Sequence, residues 1–213
     1  MRLVILSSKP ERAKGPYDIS NPRRRSTMER NEAWELLCEF TKTEQLRKHA
    51  LAVEAAMKAY ARKYGGDEVK WGIVGLLHDF DFEIHPGPDE HPVKGAEILR
   101  ERGVPEDIVY AVLCHADYLG MDRKTPMDRA IYAVDELTGF ITAVALVRPS
   151  KSIEEVEVTA VRKKMKDKGF ARAVNRDDIT KGAEIMEIDL DEHIAFVIES
   201  LKPVAGTLGI AGA

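Results

Sequence analysis

Apolar residues recur along most of this chain at spacings of three and four, the period of helices with one buried face. Asn31 is placed to cap a helix running to Phe40, with Trp34, Leu37 and Cys38 on one stripe. Thr43 opens a second helix whose inner face carries Leu46, Ala50, Val53, Met57 and Tyr60, and which stops near Gly65-Gly66. Asp67 then caps an apolar run, Trp71 to Leu77, that ends at His78-Asp79. Proline and glycine make the stretch 80–90 a loop. His91-Pro92 starts a helix through Val93, Ala96 and Leu99 to Gly103, and Pro105 opens another through Ile108, Ala111, Val112 and His115. After a loop at 118–123, a long helix spans Pro126 to Val147, with Ile131, Asp135 and Thr138 sharing a face, and Pro149 ends it. Residues 152–167 and 177–201 read as two more amphipathic helices joined by a loop around Gly169 and Asn175, with Asp178 as a cap. The glycine-rich end, Gly206–Ala213, is expected to fray. No alternating strand pattern exceeds a few residues and no internal repeat is visible. The expected class is all-α, a compact single-domain bundle of about eight helices.

Composition refines this picture. The chain has 213 residues, 44% of them hydrophobic, and a mean hydropathy of −0.29, as for a soluble globular protein. No apolar run approaches the roughly 20 residues that span a bilayer, and Met1–Ser8 is too short for a signal peptide. Two cysteines, Cys38 and Cys114, make no disulfide framework and read as buried thiols in a reducing cytoplasm. The 32% of charged residues, rich in Lys and Glu, has a thermophilic flavour. The net charge of −4 argues against non-specific nucleic-acid binding, and it is unevenly spread. Residues 1–30 hold eight Lys/Arg against three Asp/Glu, leaving −9 for the rest. They read as a polar arm, with Arg23–Arg25 as an anion contact if they have any role, and Met28 is an alternative start. The expected organisation is that arm, a core at 31–150, and helices at 151–213 that complete the domain or form a homodimer contact.

The candidate chemistry comes from histidines and aspartates on apolar helix faces. His78-Asp79 closes an apolar run, where an unpaired buried charge would cost several kcal/mol. His49, His115 and Asp135 recur in similar surroundings on three other helices, and His91 stands at a helix start. One such histidine is usually a satisfied core residue; the recurrence points to a bound cation. Imidazole with carboxylate suits Fe, Mn, Zn, Co or Ni better than Ca or Mg. No CxxC spacing offers a structural zinc site, so an open catalytic site is expected.

The order His49, His78-Asp79, Asp135 resembles the H…HD…D signature of the HD-domain superfamily of metal-dependent phosphohydrolases, over about residues 43–142. The flanking text His78-Asp-Phe-Asp-Phe-Glu, His91-Pro, His115-Ala-Asp-Tyr and Val134-Asp-Glu-Leu-Thr-Gly139 resembles an uncharacterised branch of predicted HD hydrolases. The resemblance implies that His49, His78, Asp79 and Asp135 hold a first metal, Fe or Mn by preference. His91 and His115 take the places where binuclear members add two histidines, so that Asp79 would bridge two ions and a water between them would attack phosphorus. With one ion, His91 and His115 would contact substrate phosphate instead. The implied substrate is a small phosphorylated molecule, a nucleotide or a relative of one.

Other residues are weaker candidates. Lys94, one turn after His91, could meet a phosphate; Asp81 and Asp117 could orient the nucleophile or protonate the leaving group. Arg129 would reach the site only from the rim. Glu83, Asp89 and Glu90 read as loop solvation, His85 as a surface histidine, and His193 as a surface or helix-face residue. Two other classes compete: a mixed-valent di-iron oxygenase with a similar ligand set, and a non-enzymatic, metal-stabilised helical module. The resembled family's GYP element is absent, which speaks against cyclic-di-GMP hydrolysis. No nucleotidyltransferase or synthetase segment is attached, which speaks against a bifunctional alarmone enzyme.

Overall fold

The computed structural model describes residues 27–212. The expected anion contact at Arg23–Arg25, and most of the polar arm, lie outside these residues; Met28 packs, partly buried, against the core. Ten helices follow in order: α1 Arg30–Phe40, α2 Glu44–Tyr64, α3 Glu68–Leu77, α4 Val93–Glu101, α5 Glu106–Leu113, α6 Pro126–Leu146, α7 Val158–Met165, α8 Arg176–Ile185, α9 Leu190–Leu201 and α10 Ala205–Leu208. Among the described residues there is no sheet, only an isolated bridge between Ser152 and Ala211. The all-α, single-domain class read from periodicity is the class observed.

The two 21-residue helices, α2 and α6, form the axis of the bundle. Helix α3 lies against α2 so closely that a Cβ at Gly75 would stand 2.7 Å from the Glu54 backbone nitrogen. Only glycine allows that approach, and it fixes His78, three residues on, relative to His49 on α2. The carboxylate buried alongside, Glu54, is neutralised by Arg30 at 2.7 and 2.8 Å and by Lys58 at 2.7 Å. On the other flank α8 meets α6 at Gly182, where a Cβ would stand 2.7 Å from the Ala133 Cα. Tyr60, Phe80, Phe140 and Ile131 are among the largest fully buried side chains.

Local differences from the sequence reading have simple causes. Asn31 is not the first cap: α1 begins at Arg30, with Glu29 before it and the Glu32 carboxylate accepting from the Glu29 N–H at 3.1 Å. The single helix expected over 177–201 is two, broken where Glu187 adopts φ +56 and Asp189 caps α9 through its bonds to the Asp191 and Glu192 N–H groups. Asn175, not Asp178, caps α8 by accepting from the Asp177 N–H at 3.1 Å. Residues 152–167 hold one helical turn at Ile153–Glu155 and then α7. The chain end does not fray as expected: Leu208 and Ile210 are buried, and the Ile153 N–H donates to the Ile210 carbonyl at 2.8 Å. Glu83 is not idle loop charge either. Its Oε2 accepts from the Lys42 and Thr43 N–H groups at 2.7 and 3.0 Å, which caps α2 from across the chain and holds the Glu83 carboxyl below its usual range.

Candidate metal centre

Five elements deliver the candidate ligands to one place. His49 comes from the second turn of α2, His78 and Asp79 from the end of α3, and His91 from the turn before α4. His115 lies just past α5, and Asp135 sits within α6. Two groups result, each with its ligand atoms within 4.8 Å of one another: His49, His78, Asp79 and Asp135, and then Asp79, His91 and His115. Asp79 belongs to both. Its Oδ2 lies 3.4 Å from His78 Nε2, whereas its Oδ1 lies 3.1 Å from His91 Nε2 and 3.3 Å from His115 Nε2.

The outer nitrogens of three imidazoles are fixed. His78 Nδ1 is 2.8 Å from the Gly75 carbonyl and His115 Nδ1 is 2.6 Å from the Val112 carbonyl. A carbonyl can only accept, so each Nδ1 carries the hydrogen in the neutral ring and each Nε2 presents a lone pair to the site. His91 Nδ1 lies 2.9 Å from Asp81 Oδ1 with the same consequence. His78 is fully buried, and its Nε2 has no hydrogen-bond partner, although Asp135 Oδ1 is only 3.3 Å away. An orphaned buried nitrogen facing two carboxylates is the geometry a cation satisfies. The spacings agree. Ligand atoms about 2.1 Å from one cation, at tetrahedral or octahedral angles, stand about 3.0–3.4 Å apart. The contacts above fall in or near that range, as do His91 Nε2 to His115 Nε2 at 3.1 Å and His49 Nε2 to Asp135 Oδ1 at 2.9 Å.

Electrostatics follow from this crowding. Burial works against the charged form of His78, but the Asp79 and Asp135 carboxylates overcome it and hold the imidazole well above its usual range. Burial likewise opposes ionisation of Asp79 and Asp135, and the facing imidazoles overcome it, leaving both carboxyls below theirs. His91, also buried, is raised to about 9 by Asp79 and Asp81. Positive charge is what this centre is built to hold.

A cavity of about 540 Å³ opens onto both groups. Its lining includes Phe82, Asp117, Tyr118, Tyr132, Glu136 and Asp178, of which sequence reading singled out only Asp117 as a site residue. Glu136 carried a signal that went unused, being adjacent to Asp135. Burial and the Asp135 charge push its carboxyl up to about 7. Tyr118 donates to the His91 carbonyl at 2.6 Å, tying the cavity rim to a ligand.

The other candidates are placed as follows. Asp81 does not face the cavity: it is fully buried behind His91, and its Oδ2 accepts from the Gly95 N–H at 3.0 Å. Both its oxygens are thereby occupied away from any substrate. Lys94 is exposed, pairs with Glu97 at 3.0 Å and does not line the cavity. Asp117 does line it, but Lys181 at 2.7 Å and Arg123 at 3.1 Å hold its carboxyl below the usual range, which suits a permanent anion rather than a proton donor. Arg129 is partly buried and outside the lining, and its Nε has no partner. His85 stays out of both groups, 3.7 Å from Glu90. Of the two readings of His193, surface or helix face, the structure has the second: it lies on the inner face of α9, fully buried, accepting from the Tyr60 hydroxyl at 2.6 Å and donating to the Ala133 carbonyl at 2.9 Å.

Residues 46–139 match the family model of the HD domain, so an HD-domain region forms the centre of the chain. Among curated proteins, the chain is similar to Ribonuclease Y of Desulfotalea psychrophila (strain LSv54 / DSM 12343). It is 27% identical over 171 residues, which cover 76% of this chain and 32% of the relative. It is also similar to Ribonuclease Y of Nitratidesulfovibrio vulgaris (strain DP4), 29% identical over 98 residues, 46% of this chain and 18% of that protein. The chain thus spans about a third or less of these relatives. Relatives that carry an enzyme name replace the expectation of an uncharacterised branch. No solved structure gives a significant match. An HD-domain region with His and Asp side chains clustered to coordinate metal is consistent with a metal-dependent hydrolase.

Proposed function

We propose that this chain hydrolyses phosphate esters or anhydrides with the help of two divalent transition-metal ions. The observation that carries this reading is Asp79, each of whose oxygens serves a different group of imidazoles. His49, His78 and Asp135 would complete one position and His91 and His115 the other. The ions would supply Lewis acidity and offset charge on the phosphoryl oxygens. The protein's own contribution is positional. The Gly75 and Val112 carbonyls and Asp81 orient three rings, and Tyr118 pins the backbone at His91. In the reaction a water oxygen joins phosphorus, the bond from phosphorus to the leaving oxygen breaks, and a proton passes to that oxygen. The relatives' name puts RNA phosphodiesters among the substrates to assay.

The test is elemental analysis of protein purified without chelator, followed by reloading with Mn, Fe, Co, Ni or Zn singly, while phosphate release and oxygen uptake are followed side by side. About two equivalents of metal per chain and phosphate release without oxygen uptake are expected. Oxygen uptake without phosphate release, or no bound metal with any ion, would overturn the reading.

A further inference from the structure

The cavity at the metal centre is larger than a phosphoryl group needs, and the rest of its lining has a consistent character. Beyond the ligand residues it offers the carboxylates of Asp117, Glu136 and Asp178 and the rings of Phe82, Tyr118 and Tyr132. Among the described residues no lysine or arginine lines it. The nearest cations are already committed. Arg123 donates to Asp117 at 3.1 Å and to the Cys114 carbonyl at 3.0 Å, and its guanidinium lies 3.8 Å from the centre of the Tyr132 ring. Lys181 is held by Asp117 at 2.7 Å.

The three carboxylates are therefore not equivalent. Asp117 is neutralised by two cations. Asp178 accepts one hydrogen bond on each oxygen, from the Tyr132 hydroxyl at 2.9 Å and the Asn175 amide at 2.8 Å, and among the described residues no lysine or arginine pairs with it. Glu136 is half-buried, and no lysine or arginine pairs with it among the described residues. A partly buried carboxylate without a cation is stabilised by whatever donors reach it. Glu136 already accepts from the Asn175 backbone N–H, and Asp178 from Tyr132 and Asn175, but each carboxylate keeps further lone pairs for donors of a ligand, whose ring has apolar company in Phe82 and Tyr118, 40% and 57% exposed. A chain of phosphates would instead lay its charge against Glu136 and Asp178, with no basic side chain to receive it.

We propose that the site selects a small ester bearing a single phosphoryl group, whose organic half carries a ring with amine or other N–H donors taken up by Glu136 and Asp178, and that it rejects polyphosphates and RNA. This rests on the phosphohydrolase reading and narrows it to a substrate class.

The test uses the full chain loaded with manganese and four substrates: cytidine 5′-monophosphate, cytidine 5′-triphosphate, a short RNA, and 4-nitrophenyl phosphate, which lacks donors. The monophosphate should exceed the triphosphate and the RNA in kcat/KM by about tenfold or more. Glu136→Gln should narrow that margin and raise KM for the monophosphate more than for 4-nitrophenyl phosphate. Asp178→Asn is the second variant, should Glu136→Gln fold poorly. Triphosphate or RNA cleaved as well as the monophosphate, or substrate ratios unchanged in both variants, would overturn the selection while leaving the phosphohydrolase intact. Failure of all four substrates, 4-nitrophenyl phosphate included, would remove the phosphohydrolase reading and this inference with it.

Discussion

The Nε2 atoms of His91 and His115 face each other at 3.1 Å, while the Nδ1 of each is committed to a fixed acceptor, Asp81 for one and the Val112 carbonyl for the other. In the neutral rings two lone pairs at that distance repel, and a proton on His91, whose pKa is raised to about 9, or a metal ion relieves the repulsion. Asp79 Oδ1, 3.1 and 3.3 Å from the same two atoms, adds a third electron-rich corner. A cation turns this repulsion into coordination, and the fold holds the arrangement ready through residues that never touch the ion.

Asp79 is the residue on which both groups depend, so Asp79→Ala should lose bound metal altogether rather than half of it. Elemental analysis reads the loss directly. Thermal unfolding gives an independent check: chelator should lower the Tm of the wild type and leave that of the variant nearly unchanged. A variant that keeps one full equivalent would show that the groups assemble independently.

Asp81 holds His91 Nδ1 from behind and does not line the cavity. Asp81→Ala should weaken metal binding at the His91/His115 position by roughly 10–100-fold and spare the other. Gly95→Ala should do much the same, because its Cβ would sit 2.5 Å from the Asp81 carboxyl carbon. Titration calorimetry on metal-free protein would resolve two steps in the wild type, and only one of them should move in these variants.

The clustering of six His and Asp side chains was legible because its signal is local: most are ligand-type residues at helical positions among apolar neighbours, as His49 is between Leu46 and Val53. The burial of Asp81 behind His91 is not legible in Phe80-Asp-Phe-Glu83, because only the returning helix α4 encloses it. For His193 the acidic Asp189-Leu-Asp-Glu192 before it points to the surface, whereas Leu190, Ile194, Val197 and Leu201 place it on a buried helix stripe, and packing decides for the second. Tyr132 and Asp178, 46 residues apart, meet only through the packing of α6 on α8, which no periodicity encodes.

Gly75 is the contact where α3 touches α2 backbone to backbone. Gly75→Ala should destabilise the protein by about 1–3 kcal/mol, the usual cost of overpacking. It should also loosen the position formed by His49 and His78. Urea unfolding and metal titration of one preparation would check both effects.

His193 makes stability depend on pH. Burial first, with a smaller push from Lys63, depresses its pKa to about 4, against about 6.5 in the unfolded chain. The unfolded state therefore takes up the proton first. The associated stability is complete above pH 6.5 and is lost as the pH falls towards 4, on the order of 3 kcal/mol in all. Other groups titrate in acid, so the informative quantity is the difference from His193→Gln. The wild type should lose stability more steeply than the variant between about pH 6.5 and 4; parallel curves would contradict the assignment.

The two halves of the metal centre are mounted differently. His49 and His78 stand on helices whose backbones touch at Gly75, whereas His91 and His115 are carried on turns, one before α4 and one after α5. One half is thus a fixed jaw and the other a compliant one. Cations of different radius would be told apart at the jaw that cannot yield and accommodated at the jaw that can, so a single binding centre could be strict about one ion and permissive about its neighbour.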